Sequence, residues 1–370
     1  MPSRFDALAN MTIDAVRRAV VIPSLLSFSP PMARPSTSPR TPAKKATLNT
    51  PQKARRASVW RTAKNSNRHE LYELAVQEVE AECDFIDMVW KSKRGRFAST
   101  LREDFCGTAK ACTEWARRRT SNHAIGVDLD SSVILWGEHR HRAQLPEAIS
   151  SRITVLEANV LEVETPGIDT IVAMNFSYFI FKERALLVQY FRRVFESLAN
   201  DGLFICDGYG GSESHSEVEE ERHLDGFTYV WDQNVYNPIT SNVVNHIHFR
   251  FPDGSEIKRA FSYDWRLWSL AEIQDAMTDA GFTATTVYWE GTERDGNTGN
   301  GVFKPSMRGE ACAGWIAYIV AEKQSVKAKT GKKTVKKIGS KKTAKKPAQK
   351  PAQKPAMKPA KKPVKKPVRA

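Results

Sequence analysis

Short apolar runs alternate with longer stretches of helical spacing through the middle of the chain. Short runs of this kind are typical of strands buried on both faces, and the stretches between them are long enough for helices. The pattern therefore predicts an α/β fold with a mostly parallel sheet and helices on both faces. The predicted strands are residues 100–104, 124–127, 152–156, 169–174 and 203–207, and the clearest helices are 109–119 and 183–198.

A different pattern interrupts this alternation. Residues 212–268 predict an antiparallel flap, because polar and apolar side chains alternate there on both sides of a Pro-Asp-Gly-Ser turn at 252–255. Its many aromatic and histidine side chains either line a substrate pocket or only cover one end of the sheet. After the flap, residues 269–280 begin with a capping-box signature and predict a helix. The runs 285–289 and 314–321 predict the last two strands.

Acidic residues end the first two predicted strands, at the edge where parallel α/β sheets bind ligands. Glu103 and Asp104 precede the turn at 105–108. Asp128 follows about 20 residues later, a spacing at which a carboxylate accepts from ribose hydroxyls. A dinucleotide fingerprint needs three glycines, so that bare backbone can approach a pyrophosphate. Gly107 is the only glycine in this turn, so a nucleoside without phosphates fits better.

This segment resembles motif I of the class I S-adenosylmethionine-dependent methyltransferases, an acid and a hydrophobic residue followed by Gly-x-Gly-x-Gly. Glu103 matches the acid and Gly107 the middle glycine, while Phe105 and Ala109 replace the outer two. The resemblance covers residues 97–322. It implies a Rossmann-like, seven-stranded, mostly parallel sheet whose last two strands form an antiparallel pair at the edge. It also implies a methyltransferase that uses S-adenosyl-L-methionine.

The resemblance implies cofactor contacts at the ends of the first four strands. Glu103 is expected to favour the positively charged end of the cofactor, and Asp128 to bind the ribose. The pair Asn159-Val160 stands where the family usually has Asp and a hydrophobic residue at the adenine. The implied cofactor-binding residues are Glu103, Phe105, Cys106, Gly107, Thr108, Asp128, Leu129, Asn159, Val160 and Asn175.

The candidate catalytic residues follow the fourth strand, beside the expected methyl group. They are Asn175, Ser177 and Tyr178, from a segment Asn-Phe-Ser-Tyr. This segment is similar to the Asn-Pro-Pro-Tyr of amino-group methyltransferases, although both prolines are missing. Asp207 and Tyr209 follow the fifth strand and either face the methyl acceptor or pack in the core.

Several other residues have both a chemical and a structural interpretation. Tyr72 and Gln77 are candidate lid contacts on an upstream amphipathic helix, which by default only covers the sheet. Cys106 is interpreted as a packing residue and not as a nucleophile. His246 and His248 share one face of a predicted strand, but no third metal ligand is evident, so substrate or structural contact is favoured over a metal site. We predict no metal centre.

The formal net charge of +14 over 370 residues is unevenly distributed. Residues 323–370 contain 18 lysines, one arginine and no acids, whereas residues 69–322 carry a net charge of −16. We therefore divide the chain into a poorly ordered basic segment 1–60, a methyltransferase domain 61–322 and a Lys/Pro/Ala-rich tail. The tail is similar to those of linker histones, and its composition predicts disorder and non-specific binding of nucleic acid or another polyanion.

The sequence favours a cytoplasmic methyltransferase with a small-molecule acceptor. One alternative is a nucleic-acid methyltransferase recruited by its lysine-rich tail, located with the nucleoid. Another is a non-catalytic nucleic-acid-binding protein with a degenerate Rossmann-like body, and a nicotinamide oxidoreductase is disfavoured by the missing glycines. No apolar run reaches the ~20 residues of a membrane span. Translation is expected to start at Met1 or Met32.

Overall fold

The computed structural model describes residues 60–292 and 299–323. The predicted basic segment 1–60 and the predicted tail 323–370 lie outside the described residues, apart from Trp60 and Lys323, and stay predictions. Within the described ranges, no helix is both long and apolar enough to cross a membrane.

The main sheet of the described chain has eight strands in the order β11-β10-β12-β5-β4-β1-β2-β3. Strands β1 to β5 are parallel, and β12 runs antiparallel between β5 and β10. This confirms the predicted fold. The strands are β1 (Thr100–Asp104), β2 (His123–Asp128), β3 (Ile153–Glu157), β4 (Ile168–Ala173), β5 (Leu198–Gly210), β10 (Ala284–Thr292), β11 (Gly299–Pro305) and β12 (Trp315–Glu322).

Strand β11 is the one strand of the main sheet that the sequence pattern does not predict. It is short, begins Gly-Asn-Gly and leaves most of its side chains exposed, so it lacks the apolar alternation of a buried strand. It pairs with β10 and forms the edge of the sheet. The resemblance implies this edge position for the last two predicted strands, which are β10 and β12. The pair β10 and β12 is antiparallel, as the resemblance implies.

Helices cover both faces of this sheet. In β4, Ile171 and Ala173 pack into one apolar core with α6 and α7, while Val172 between them packs into a second core with α2 and α3. This alternation explains the continuous apolar run of the strand. The helices are α1 (Arg68–Val76), α2 (Val79–Arg94), α3 (Lys110–Arg118), α4 (Ser131–Arg140), α5 (Glu147–Ser150), α6 (Arg184–Ser197) and α7 (Leu270–Ala280).

The predicted flap is a second, four-stranded antiparallel sheet between β5 and α7. Its order is β6-β7-β8-β9, so each strand pairs with the next along the chain. One face carries the fully buried Trp231, Tyr263 and Trp265, and Trp265 meets Phe179 of the turn after β4. The strands are β6 (Val218–Leu224), β7 (Phe227–Asn237), β8 (Asn242–Arg250) and β9 (Glu256–Arg266).

A fully buried ion pair lies within β1. The Arg102 Nε and Asp104 Oδ1 atoms are 2.8 Å apart, and Nη2 of Arg102 donates to Oδ2 of Asp104 at 3.0 Å. Nη1 of Arg102 donates to the hydroxyls of Thr165 and Ser197, and the Tyr190 hydroxyl donates to Asp104. Asp104 therefore belongs to the core of the domain, although it is next to the candidate site residue Glu103 in the sequence.

Candidate functional site

The turn after β1 has a left-handed backbone at every second residue. The φ angles are +60° at Phe105, +52° at Gly107 and +54° at Ala109. These are the three positions that match the glycines of the Gly-x-Gly-x-Gly motif in the family that this segment resembles. Two residues with a Cβ therefore adopt a conformation that normally favours glycine and that costs them about 1–2 kcal/mol each. The turn thus keeps the shape of a glycine-rich loop without most of its glycines.

We expect Ala109→Gly to change the free energy of unfolding by less than about 1 kcal/mol, because relief of the left-handed strain offsets both the added freedom of the unfolded chain and the loss of a buried methyl group. Ala116→Gly in α3 also removes a buried methyl group but relieves no strain, so this matched control should cost about 1–2 kcal/mol. Thermal unfolding of the two variants provides the comparison. An equal loss of stability in both variants would show that Ala109 is not strained.

Packing explains how the turn accommodates its bulky residues. The Phe105 ring lies 6.0 Å from that of Phe181 and 5.8 Å from that of Tyr190, measured between centroids. Cys106 is fully buried, and a Cβ on Gly126 of β2 would come within 2.8 Å of its Sγ atom. Burial raises the pKa of the Cys106 thiol well above its usual range, so the thiolate that a nucleophile needs is disfavoured.

Asp128 connects the end of β2 to this turn. It is buried, and its Oδ2 accepts from the backbone N–H of Gly107 at 2.8 Å, while Oδ1 accepts from the N–H of Asp130 at 2.9 Å. Two other turn amides also have protein partners, since Cys106 N–H donates to the Val127 carbonyl and Ala109 N–H donates to the Cys106 carbonyl. These bonds leave few free donors for a phosphate in the turn.

Glu103 lies near the end of β1 beside the turn and is buried, with no cationic partner in the part of the chain that the structure describes. Its Oε2 accepts from the Cys112 thiol at 3.2 Å. Burial raises the pKa of Glu103 to about 8, and the nearby Glu82 carboxylate adds to this rise. A carboxyl group in this state gains from a ligand that brings a positive charge or additional donors.

The ends of β4 and β5 are joined through Asp207. Its two carboxylate oxygens accept from the N–H groups of Asn175 at 2.7 Å and Phe176 at 2.8 Å, and both of these residues are left-handed. The Tyr178 hydroxyl donates to the backbone carbonyl of Asp207, and the Ser177 hydroxyl donates to that of Met174. Burial raises the pKa of Asp207 to about 7.

At the end of β3, Asn159 is half-buried and begins a turn. Its Oδ1 accepts from Leu161 N–H at 3.0 Å, and its Nδ2 donates to Glu162 at 3.3 Å. Val160 is buried in the larger apolar core, and Leu129 packs against that core from the end of β2. The structure therefore brings the predicted cofactor-binding residues together along one edge of the sheet.

Helix α1 crosses the turn after β1 and contacts it directly. Oε1 of Glu73 accepts from the Thr108 hydroxyl at 2.6 Å and lies 2.6 Å from Nε2 of His141, at the end of α4. Burial opposes ionisation of Glu73, but the hydrogen bonds from His141 and Thr108 outweigh it and lower its pKa. Glu73 and His141 could not be identified from the sequence, since their contacts join segments that are far apart along the chain.

The start of α2 contributes a second acid that the sequence analysis missed. Glu82 is buried, and burial raises its pKa to about 7. It lies on the apolar stripe of α2, three residues after Val79 and four before Ile86. An acid on the apolar stripe of a helix is a sequence signal for a functional residue, because acids on an amphipathic helix normally face solvent. The two predicted lid residues lie just upstream, and the Tyr72 hydroxyl and Gln77 Oε1 are buried with no hydrogen-bond partner among the residues that the structure describes.

His246 and His248 share a face of β8, as predicted, with ring centroids 6.1 Å apart. Glu219, Asp232 and His248 offer ligand atoms within 4.8 Å of one another. Nδ1 of His248 accepts from a backbone N–H, so its Nε2 donates to Asp232 at 3.2 Å. Glu219 pairs with Arg250 at 2.8 Å. Protein contacts therefore account for this group of side chains.

No protein-family model matches the chain, and no curated protein matches it. Among solved structures, an S-adenosylmethionine-dependent methyltransferase from Clostridium acetobutylicum ATCC 824 is 16% identical, with 68% of this chain and 96% of that chain covered and a TM-score of 0.50. The amino pentose methyltransferase CalS10 from Micromonospora echinaspora is 13% identical, with 69% and 96% covered and a TM-score of 0.49. The first of these likenesses establishes a shared fold.

Proposed function

We propose that the chain is a class I methyltransferase that uses S-adenosyl-L-methionine and acts on a small molecule. The observation that carries this proposal is the left-handed turn after β1 together with its hydrogen bond to Asp128. The turn has three left-handed residues, and Asp128 accepts from Gly107 within it. The Asp128 carboxylate offers about four acceptor positions and accepts from the N–H groups of Gly107 and Asp130, so acceptor capacity remains for a ribose hydroxyl.

The residues of this edge suit a nucleoside with a positive charge better than a phosphate. A phosphate needs free backbone donors or cations, and the amides of Cys106, Gly107 and Ala109 already donate within the protein. Glu103 and Asp128 are buried carboxylates at the same edge, and both have raised pKa values because of burial. A cation placed beside them would favour their ionised forms.

In this proposal, each strand end has a separate task. Asp128 binds the ribose, Asn159 and Val160 lie at the adenine, and Glu103 stabilises the positively charged end of the cofactor. When bound, the cofactor supplies a methyl group on a positively charged sulfur. Transfer of this group is an in-line displacement, so the protein contributes mainly by positioning the two reactants.

The three candidate catalytic residues after β4 have different roles in this proposal. The Ser177 and Tyr178 hydroxyls donate to backbone carbonyls, so we assign them to holding the loop in shape. Asn175 is buried, its backbone is fixed by Asp207, and its side-chain amide has no hydrogen-bond partner among the described residues. Asn175 is therefore our first candidate for contact with the reacting groups.

A small acceptor is favoured by the flap. Nδ2 of Asn245 on β8 donates to the Tyr209 hydroxyl on β5 at 3.3 Å, and the Tyr209 ring lies 4.7 Å from that of Phe176. The flap thus closes over the ends of β4 and β5, where the acceptor has to lie. Recruitment to nucleic acid through the tail is a separate prediction, because residues 324–370 lie outside the described ranges.

Calorimetric titration of the full chain tests the proposed function. S-adenosylmethionine and its demethylated product S-adenosylhomocysteine should bind with micromolar dissociation constants, and NAD and NADP should not bind. Circular dichroism of the same sample establishes that the protein is folded. A folded protein that binds neither sulfur compound would refute the methyltransferase proposal, and preferential binding of NAD would favour the oxidoreductase.

The affinity for S-adenosylmethionine should depend on pH through Glu103. A carboxyl group with a pKa of about 8 holds its proton at neutral pH and must release it to face the cofactor's positive charge. The apparent affinity should therefore rise by about tenfold from pH 6 to pH 7 and level off above pH 8. Glu103→Gln should bind more weakly and lose most of this dependence, and an unchanged pH profile would remove Glu103 from the site.

A further inference from the structure

Three buried polar atoms between the sheet and the flap have no hydrogen-bond partner within residues 60–292 and 299–323. They are the hydroxyls of Tyr72 and Tyr229 and the Oδ1 atom of Asn245, in side chains that are 4%, 3% and 1% exposed. Buried polar atoms are nearly always hydrogen-bonded, so unsatisfied ones need an explanation such as a ligand. The core does not need these atoms, since smaller apolar side chains would fill the same positions without the cost of desolvation.

These atoms belong to one region. Tyr72 on α1 lies close enough to Tyr229, Tyr263, Glu82 and Asp207 for their charges to raise its pKa further, after burial. Asn245 is the register partner of Tyr263 across β8 and β9 and donates through its Nδ2 atom to Tyr209 at the end of β5. The unpartnered atoms therefore belong to side chains that lie near one another, and Asn245 connects them to Tyr209, beside the strand ends where the proposed methyl acceptor would lie.

Carboxylates border this region on the protein side. Glu82, Glu103 and Asp207 are all more than nine-tenths buried, and none of them has a salt bridge among the described residues. Glu220 of β6 adds a half-buried acid near Tyr229. The carboxylates of Glu82 and Glu220 have no hydrogen bond in the described chain, and Glu82 is the more deeply buried of the two.

Among the described residues, the cations near this region are not fully buried. Lys110 is half-buried and near Glu82, Arg222 is half-buried over the Tyr229 ring, and Arg68 is exposed near Tyr263. The interior thus offers carboxylates, an amide oxygen and hydroxyls, and lacks a buried cation. Such a set binds a ligand with several N–H donors and a positive charge, and it repels a carboxylate or phosphate.

We propose that this region binds the methyl acceptor as an amine and that Glu82 is the residue that recognises its ammonium group. The inference rests on the proposed methyltransferase function and specifies its substrate class. An ammonium donates up to three hydrogen bonds, and Glu82, Tyr72, Tyr229 and Asn245 together offer enough acceptors for all of them. A neutral alcohol would satisfy fewer of them and would bring no positive charge to Glu82 beyond that of the half-buried Lys110.

The Glu82 carboxylate can also accept the proton that the ammonium group must lose before methylation. An ammonium nitrogen has no lone pair, so one N–H proton has to pass to a base before the nitrogen can be methylated. Glu82, with a pKa of about 7, can accept that proton near neutral pH. The nitrogen lone pair then forms the bond to the methyl carbon, the electron pair of the broken carbon–sulfur bond stays on sulfur, and the product is again a cation.

The test uses three analogues of the cofactor whose arms enter the acceptor region. In each, a nitrogen replaces the sulfur and carries a 2-aminoethyl, a 2-hydroxyethyl or a carboxymethyl arm in place of the methyl group. We expect the full chain to bind the amino arm at least about tenfold more tightly than the hydroxyl arm, because charge-assisted hydrogen bonds are about twice as strong as neutral ones. The carboxymethyl arm should bind most weakly.

Variants assign the preference to Glu82. Glu82→Gln should reduce the ratio between the amino and hydroxyl arms to below about threefold, whereas Glu80→Gln, an exposed acid on the same helix, should keep it. Tyr72→Phe keeps the ring packed against Phe261 and provides a second variant, whose ratio should also fall. An unchanged ratio in both Glu82→Gln and Tyr72→Phe would overturn the assignment.

The outcomes separate this inference from the proposed function. If S-adenosylhomocysteine binds and the hydroxyl arm binds as tightly as the amino arm, the amine inference is wrong and the methyltransferase proposal stands. If neither S-adenosylhomocysteine nor any arm-bearing analogue binds to the folded protein, the methyltransferase proposal itself fails. Tight binding of the carboxymethyl arm would indicate an anionic acceptor and would also contradict the inference.

Discussion

Replacing Asp128 with alanine should weaken the binding of S-adenosylhomocysteine by about 100-fold or more. One carboxylate is proposed to accept from both ribose hydroxyls, and each hydrogen bond to a charged group contributes about 1.5–3 kcal/mol. The same change also removes the acceptor for Gly107 N–H and loosens the turn that surrounds the ligand. Calorimetry of the full chain measures the dissociation constant, and thermal unfolding reports whether the variant is folded.

Two further variants separate the charge of Asp128 from its position. Asp128→Asn keeps an oxygen for Gly107 but loses the second carboxylate acceptor, so its affinity should lie between those of the alanine variant and the unchanged protein. Asp130→Asn removes a nearby charge and preserves the N-cap of α4, because asparagine caps helices as well as aspartate. It should bind nearly normally. Equal binding by Asp128→Ala and the unchanged protein would contradict the assignment of the ribose site.

The largest expected loss of stability comes from the residue beside Glu103. Asp104→Leu should lower the free energy of unfolding by about 3–5 kcal/mol, because it leaves the fully buried Arg102 without its counter-charge. For a domain of this size, such a loss corresponds to a fall of about 10 °C or more in the melting temperature. Thermal and denaturant unfolding of the full chain measure both quantities.

The double variant Arg102→Met with Asp104→Leu is the control for this prediction. It removes both charges at once, so it should recover most of the stability that Asp104→Leu loses. Glu103→Gln should affect cofactor binding and not stability: it should weaken the binding of the cofactor and leave the free energy of unfolding nearly unchanged. If Asp104→Leu proved as stable as the unchanged protein, the buried pair would not hold β1 in the core.

Most of the sheet could be predicted from the sequence, because a strand buried on both faces is apolar along its whole length. The run that contains Ile171, Val172 and Ala173 shows this, since its neighbours alternate between two cores. The flap and the capped helix α7 were predictable from local chemistry, a Pro-Asp-Gly-Ser turn and the Ser269–Glu272 capping box. Both signals operate within a few residues of the chain.

Other features could not be predicted because distant contacts determine them. The left-handed backbone at Phe105 and Ala109 contradicts local preference and is held by the surrounding turn and its aromatic neighbours. The upstream helical pattern is interrupted at Gln77, which is extended, without a proline or glycine to mark the break. The partners of Glu73 come from the turn after β1 and from the end of α4.

The different roles of the adjacent acids Glu103 and Asp104 also could not be predicted from local sequence. Glu103 and Asp104 have the same charge and end the same strand, but alternate residues of a strand point to opposite faces. Asp104 meets the buried Arg102, whereas Glu103 lies beside the turn with the Cys112 thiol. The family resemblance assigned the site role to Glu103, and the arrangement of the two side chains is compatible with that assignment.

The most direct test of this account is a structure of the full chain bound to S-adenosylhomocysteine. We predict that the ribose hydroxyls lie within hydrogen-bond distance of both Asp128 oxygens, with the adenine at Asn159 and the sulfur facing Asn175. The Tyr72, Tyr229 and Asn245 atoms should then border open space beyond the sulfur. A ligand bound elsewhere, or an Asp128 carboxylate without contact to the ribose, would contradict the proposed site.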